Sequence, residues 1–323
     1  MLENEMTEEL EKAVYHTVRY HDLVKQAVTL VQIWRCLIRP PEVDPQQWQL
    51  SRGFSLKEVE DVLKRSDWLG QRLSQRHGFY VLKGHESYIK ETQRRYTEAQ
   101  MKWKQARKLI RRLLWVPGAR MLAVSGSLAA GNTHARSDID ILVIAARGRI
   151  WLVRLGMLLA AQLTGRRRKY WHKDAPGKLC LNHYLSEGAL KINPEIRNIY
   201  TAVQYQNLVY VAGENMLVDF WCENQAWIGR LIRRADFLQP FQTVLAVAPS
   251  WWSTRVRRLG EWLISGSRGE TWELRARRWQ QSAMGRHVTE EPIGRVNLSS
   301  EELAFHPGRK AEEVISAFNY SQD

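Results

Sequence analysis

Two apolar runs, Met121-Leu122-Ala123-Val124 and Ile139 to Ala145, read as neighbouring buried strands, and what separates them constrains the fold most. Gly126-Ser127 opens a turn or short helix after the first run, a spacer of ten residues follows, and Asp138-Ile139-Asp140 leads the second run. Side chains two apart on a strand project from one face, so Asp138 and Asp140 point together while Ile139 and Ile141 face the core. Two adjacent carboxylates on one face are unfavourable unless a cation lies between them. Mg²⁺ (or Mn²⁺) suits that place, because it takes hard oxygen ligands and shares its shell with substrate phosphates. Gly126 lets the backbone approach an anion closely, and Ser127 adds a hydroxyl or a first-turn amide. Arg136 and Ser137, just ahead of Asp138, are candidates to bind phosphate or to cap the loop. His134, in the same spacer, reads as a solvated loop residue.

The chain before this segment reads as helical. Val14, Val18 and Tyr20 begin an amphipathic helix, Thr29 can cap a second over Leu30 to Ile38, and Pro40-Pro41 ends it. Ser55-Leu56-Lys57-Glu58 has the form of a capping box and starts a third. Apolar runs at Trp68-Leu69 with Leu73 and at Phe79 to Leu82 flank a polar Ser-Gln-Arg-His-Gly turn, which predicts a β-hairpin. Three helices and a hairpin are the order of a winged-helix domain over 1–85. Ile89, Tyr96, Ala99, Trp103, Ala106, Ile110 and Leu113 recur at spacings of three and four, predicting one long helix within 86–117 that Pro117-Gly118 stops. Its other faces carry nine basic residues against Glu91 and Glu98, a surplus that points to an anionic partner.

Beyond the Asp-x-Asp, Ile150 to Leu163 has the length of a helix. Arg166, Arg167, Arg168 and Lys169 form a basic loop suited to guiding phosphates, and Leu179 to Leu185 returns to strand. Residues 118–192 therefore make one α/β core. From about Asn193 the chain reads as helical to its end, giving a third unit over 193–323. Seven of the 14 tryptophans lie there. Their helical spacing predicts core positions, while the interleaved Arg255, Arg257, Arg258, Arg275, Arg277 and Arg278 offer an alternative in which the segment stacks bases and holds backbone phosphates.

A net charge of +14, with a pI near 9.8, favours nucleic acid first, nucleotides second and an anionic membrane surface third. Cys36, Cys180 and Cys222 are too few and too scattered for a disulfide framework. The acidic start has no apolar run, and the most apolar stretch, Ile150 to Leu163, is short and holds Arg154. The expectation is a cytoplasmic protein with no membrane partner.

The run Gly126-Ser127, spacer, Asp138-x-Asp140 resembles the signature of the nucleotidyltransferase superfamily of the DNA polymerase beta type. Lys178-Leu179-Cys180-Leu181-Asn182, Asn198 to Ala202 and Phe305-His306-Pro307 extend the likeness to an uncharacterised bacterial and archaeal nucleotidyltransferase domain-containing family. The resemblance implies an α+β fold: a polymerase beta-like core of a small mixed sheet with helices, between a winged-helix-like N-terminal domain and a helical C-terminal domain. It implies a metal-dependent enzyme that moves a nucleoside monophosphate from a nucleoside triphosphate to an acceptor hydroxyl on RNA or DNA, with release of pyrophosphate. Asp138 and Asp140 would be catalytic metal ligands, and Gly126, Ser127, Arg136 and Ser137 would bind the nucleotide. The alternatives are a nucleic-acid-binding protein whose nucleotidyltransferase fold has lost activity, and transfer to a protein or small molecule. The superfamily places a third carboxylate on a later strand. The corresponding strand here offers Asn182, with Cys180 and Tyr184 in register, so Asn182 is the expected third metal ligand and Asp174 and Glu187 are stand-ins. Cys180, His183 and His172 lack a fourth partner for a zinc site.

Overall fold

The computed structural model describes residues 2–168, 176–233, 245–288, 296–305 and 310–320. The N-terminal part runs α1 (Leu2–Leu23), β1 (Val28–Thr29), α2 (Leu30–Arg35), β2 (Leu37–Ile38), α3 (Pro45–Leu50), α4 (Leu56–Arg65), α5 (Asp67–Arg72), β3 (Leu73–Arg76) and β4 (Phe79–Leu82). Both caps read from sequence are present. Thr29 and Gln32 close a capping box on α2, and Ser55 and Glu58 close one on α4, each worth about 1 kcal/mol to its helix. The hairpin turns at His77-Gly78, both with positive φ. It begins later than expected, because Trp68-Leu69 belong to α5, which Ser66 caps. β1 pairs with β4, giving a three-stranded antiparallel sheet in the order β1-β4-β3. Ala13, Val14, Ile33, Trp48, Val59 and Leu69 fill the core beneath it.

The long helix α6 (Ser87–Arg111) leads into the central sheet. Its remaining elements are β5 (Ala119–Val124), α7 (Gly126–Ala129), β6 (Ile139–Ala145), α8 (Ile150–Leu163), β7 (Leu179–Ser186), α9 (Ile199–Gln206), β8 (Val209–Gly213), α10 (Leu217–Ile228), β9 (Ile232–Arg233), α11 (Trp251–Leu263), α12 (Gly266–Val288), β10 (Val296–Leu298), β11 (Glu302–Phe305) and α13 (Lys310–Tyr320). The sheet has six strands in the order β10-β11-β7-β6-β5-β8, with β6 and β7 parallel and the other neighbours antiparallel. The protein is thus mixed α and β. Ile139, Ile141 and Val143 pack on one side of the sheet with α6, α8 and Ala276 of α12. Leu142 and Ile144 pack on the other with α9, α10 and α13.

Three expectations are corrected. The chain after Asn193 is not helical throughout: β8 borders β5, and the β10–β11 hairpin borders β7, so the expected boundary at 192/193 cuts through one sheet. The expected helix Leu30 to Ile38 ends at Arg35, and Leu37–Ile38 pair with Arg233 and Ile232; that partner is distant in sequence and leaves no local signal. The tryptophans of α11 and α12 are not core. Trp251, Trp262 and Trp279 are more than 60% exposed, and Trp252 and Trp272 are also on the surface. Small residues, Ser253 and Ala276, turn inward instead.

Candidate functional site

Gly126 sits where β5 ends, with φ of 66°, a region that L side chains rarely adopt. A Cβ there would lie 2.4 Å from Asp140 Oδ2, so the loop backbone packs directly on that carboxylate. The amide of Ser125 donates to the Asp140 carbonyl at 3.0 Å, which fixes the turn against the start of β6. Asp138 and Asp140 share a face, as their spacing requires, and both are half-buried.

The third member of the cluster is Cys180. Its Sγ and one oxygen from each aspartate all lie within 4.8 Å of one another. The reason is register. Asp140 pairs with Cys180 and Leu142 with His183, so β7 carries one residue more than β6 across this interval. Cys180 and His183 consequently share the aspartate side, whereas Tyr184, opposite Val143, packs in the core on the other side. The expected alternation of Cys180, Asn182 and Tyr184 on one face is therefore broken, and half-buried Asn182 falls in the irregular stretch with no residue of β6 paired to it. Burial first, and the charges of Asp140 and Asp138 second, push the Cys180 thiol well above its usual range. Glu187 is not part of this group. It lies past the far end of β6, five residues along from Asp140 and so roughly 17 Å away, where it accepts from Arg120 at 2.9 Å and from the Arg147 amide at 3.0 Å. Asp174 and His172 lie outside the described residues. His183 is engaged elsewhere, 2.9 Å from Glu302 Oε1 and 3.2 Å from the Tyr205 hydroxyl.

Arg168 has a partner that its place in a basic loop did not announce. Its guanidinium donates to Asp138 and reaches Cys180 Sγ at 3.4 Å. The basic loop is thus divided: Arg168 turns into the cluster, Arg167 runs beside Leu179 in a parallel bridge, Arg166 is exposed, and Lys169 lies outside the described residues.

The spacer is held from outside. Lys102, buried on α6, donates to Thr133 Oγ1 at 3.2 Å and to the carbonyls of His134 and Ser137, each at 2.7 Å. Burial lowers its pKa, against the opposing charges of Asp138 and Glu98. Arg95 donates to Asn132 Oδ1 at 2.6 Å, and Gln26 to the Ala130 carbonyl at 3.1 Å. The Ser137 hydroxyl bonds His134 Nδ1, closing the turn just before Asp138, while Arg136 stays exposed. Ser127, half-buried on α7, accepts the Asn132 amide on its carbonyl at 2.8 Å. Part of the basic surplus of α6 is therefore used internally, leaving Lys90, Lys104, Lys108, Arg111 and Arg112 exposed. Tyr200 of α9 is also close enough to feel Asp140: burial and then that carboxylate raise its phenol. Nothing in the sequence around Tyr200 announced that proximity.

Two carboxylates and a thiol whose donor atoms lie within 4.8 Å of one another could hold one divalent ion. The two carboxylates suit Mg²⁺ or Mn²⁺, and the sulfur tilts the set toward a softer ion such as Zn²⁺. Compared with known proteins, the chain matches no family model, no curated sequence and no solved structure.

Proposed function

We propose that this chain is a metal-dependent nucleotidyltransferase that moves a nucleoside monophosphate from a nucleoside triphosphate to a hydroxyl of RNA or DNA. The observation that carries the reading is the convergence of Asp138, Asp140 and Cys180 beneath a glycine turn whose backbone leaves no room for a side chain over Asp140. The order of α1, α2, α4 and the β3–β4 hairpin, with β1 added to its edge, supports the accompanying reading of a winged-helix-like unit.

In this mechanism Asp138 and Asp140 would hold the ion, with Cys180 as the third donor. The bound ion supplies Lewis-acid polarisation of the α-phosphoryl group and charge stabilisation for departing pyrophosphate. Gly126 brings main-chain amide dipoles close to the phosphates, and Ser127 presents its hydroxyl beside them. Lys102 fixes the loop from Thr133 to Ser137, so Asp138 is delivered in one position. Arg168, now paired with Asp138, would with that site loaded be placed to donate to a phosphate oxygen.

A specific observation also favours a second reading, a nucleic-acid-binding protein without catalysis: Arg168 already supplies a positive charge to Asp138. One experiment separates them. The chain is incubated with each α-labelled triphosphate, Mg²⁺ or Mn²⁺, and RNA, DNA or cell lysate. Label on nucleic acid that Asp138→Asn/Asp140→Asn abolishes is the expected result. Label on protein identifies a different acceptor. No label anywhere, with nucleic-acid binding retained in both proteins, overturns the catalytic reading in favour of the second.

A further inference from the structure

Helix α11 is amphipathic in the inverse sense. On its outer side Trp252, Val256, Leu259 and Leu263 follow at i, i+4, i+7 and i+11, one continuous stripe, with Trp251 and Trp262 beside it. Leu259 is 60% exposed and Trp262 67%. The inward side is small or polar. Ser253 is buried, Gly260 lies so close to Pro117 that a Cβ would fall 2.2 Å from its ring, and Glu261 accepts from Arg120 at 3.3 Å. The helix is thus anchored by its polar side and presents its apolar side outward. Helix α12 carries a related stripe, Arg268-Trp272-Arg275-Trp279, again at i, i+4, i+7 and i+11 and again exposed.

The charge on these helices has one sign. Between residues 251 and 279 five arginines are exposed, at 255, 258, 268, 275 and 278, against one exposed acid, Glu270. Arg255 stands 5.3 Å from the Trp251 ring centroid, at the edge of the apolar arc.

We propose that α11 and α12 dock on an anionic phospholipid surface, lying in the plane of the interface. The composition of the outer face selects this occupant. Indoles prefer the headgroup boundary, aliphatic side chains enter the acyl region, and guanidiniums meet anionic headgroups. A nucleic acid would use the tryptophans and arginines but gives Val256, Leu259 and Leu263 nothing to bury against, since base recognition rests on stacking and phosphate contacts. The orientation follows from length. With 13 residues α11 spans about 20 Å, and no helix among the described residues is long and apolar enough to cross a membrane. The sequence pattern predicts no membrane partner; the direction in which this apolar arc points argues for an interfacial one.

The test uses the full chain and vesicles of phosphatidylcholine alone or with one-third phosphatidylglycerol. Cosedimentation with the anionic vesicles only is expected, together with quenching of tryptophan emission by brominated acyl chains. Trp251→Ser/Leu259→Ser/Trp262→Ser should lose at least tenfold in affinity and most of the quenching. Arg255→Glu/Arg258→Glu should lose roughly twentyfold or more, at about fivefold for each arginine removed. All these side chains are exposed, and an unchanged melting temperature verifies that the variants fold. Three results overturn the proposal: no binding to anionic vesicles, equal binding by wild type and both variants, or a face whose tryptophans are needed for a single-stranded RNA oligonucleotide or for self-association but not for lipid.

Discussion

Replacing Arg168 by alanine tests whether this side chain competes with a metal ion. Asp138 and Asp140 offer oxygens no more than 4.8 Å apart, a separation at which two carboxylates repel by about 3 kcal/mol at an effective dielectric of about 20. The Asp138 and Arg168 side chains are 16% and 26% exposed, so solvent screens part of this and leaves on the order of 2 kcal/mol. Without metal, Arg168→Ala should therefore lower the melting temperature by a few degrees. With metal the order should reverse. The incoming ion no longer has to displace a guanidinium, so Mn²⁺ affinity should rise about thirtyfold, the equivalent of 2 kcal/mol. Calorimetric titration of Mn²⁺ into both proteins, paired with melting curves in chelator and in excess Mn²⁺, measures both effects. A variant that binds Mn²⁺ no more tightly than wild type, or that is already more stable in chelator, would refute the assignment of Arg168 as the competing cation.

Lys102→Met removes a charged donor from Thr133, His134 and Ser137 and should cost about 2–4 kcal/mol; amide exchange across 133–140 should accelerate, and unchanged protection there would show that the loop is held by other contacts. His16 and His21 are each held down to about 4, in both cases chiefly by burial. The unfolded chain takes up these protons near pH 6.5 and the folded chain only near 4, so stability is full above about 6.5 and falls as pH drops through that window, by about 3 kcal/mol for each histidine. Urea titrations at pH 7.5, 6 and 5 should follow that fall, and His16→Gln/His21→Gln should flatten most of it; a wild-type profile already flat over this range contradicts the burial argument.

The legible parts of the molecule are those written locally. The capping boxes at Thr29 and Ser55, the helix from Ile150 to Leu163 and the strands around Gly126 and Asp140 depend on residues within a turn or two of one another. The shared face of Asp138 and Asp140 follows from the strand period alone. The third member of the cluster does not, because it depends on how two strands align. One extra residue in β7 relative to β6 brings Cys180 opposite Asp140 and sends Tyr184 to the other face, and no pattern within β7 encodes its partner's register.

The outward tryptophans have the same origin. Helical spacing establishes that α11 has an apolar side, but which side meets the protein is decided by Gly260 fitting against Pro117 and Glu261 meeting Arg120. By itself the sequence determined the capped helix starts at Thr29 and Ser55, the strands on either side of the glycine turn and the pair of aspartates, since these rest on backbone preference and periodicity. Tertiary structure alone decided that Cys180 and Arg168 join that pair, that Lys102 fixes their loop, and that β8 and the β10–β11 hairpin complete the sheet. Those outcomes rest on contacts between segments distant in the chain, whose energies exist only once the segments have met.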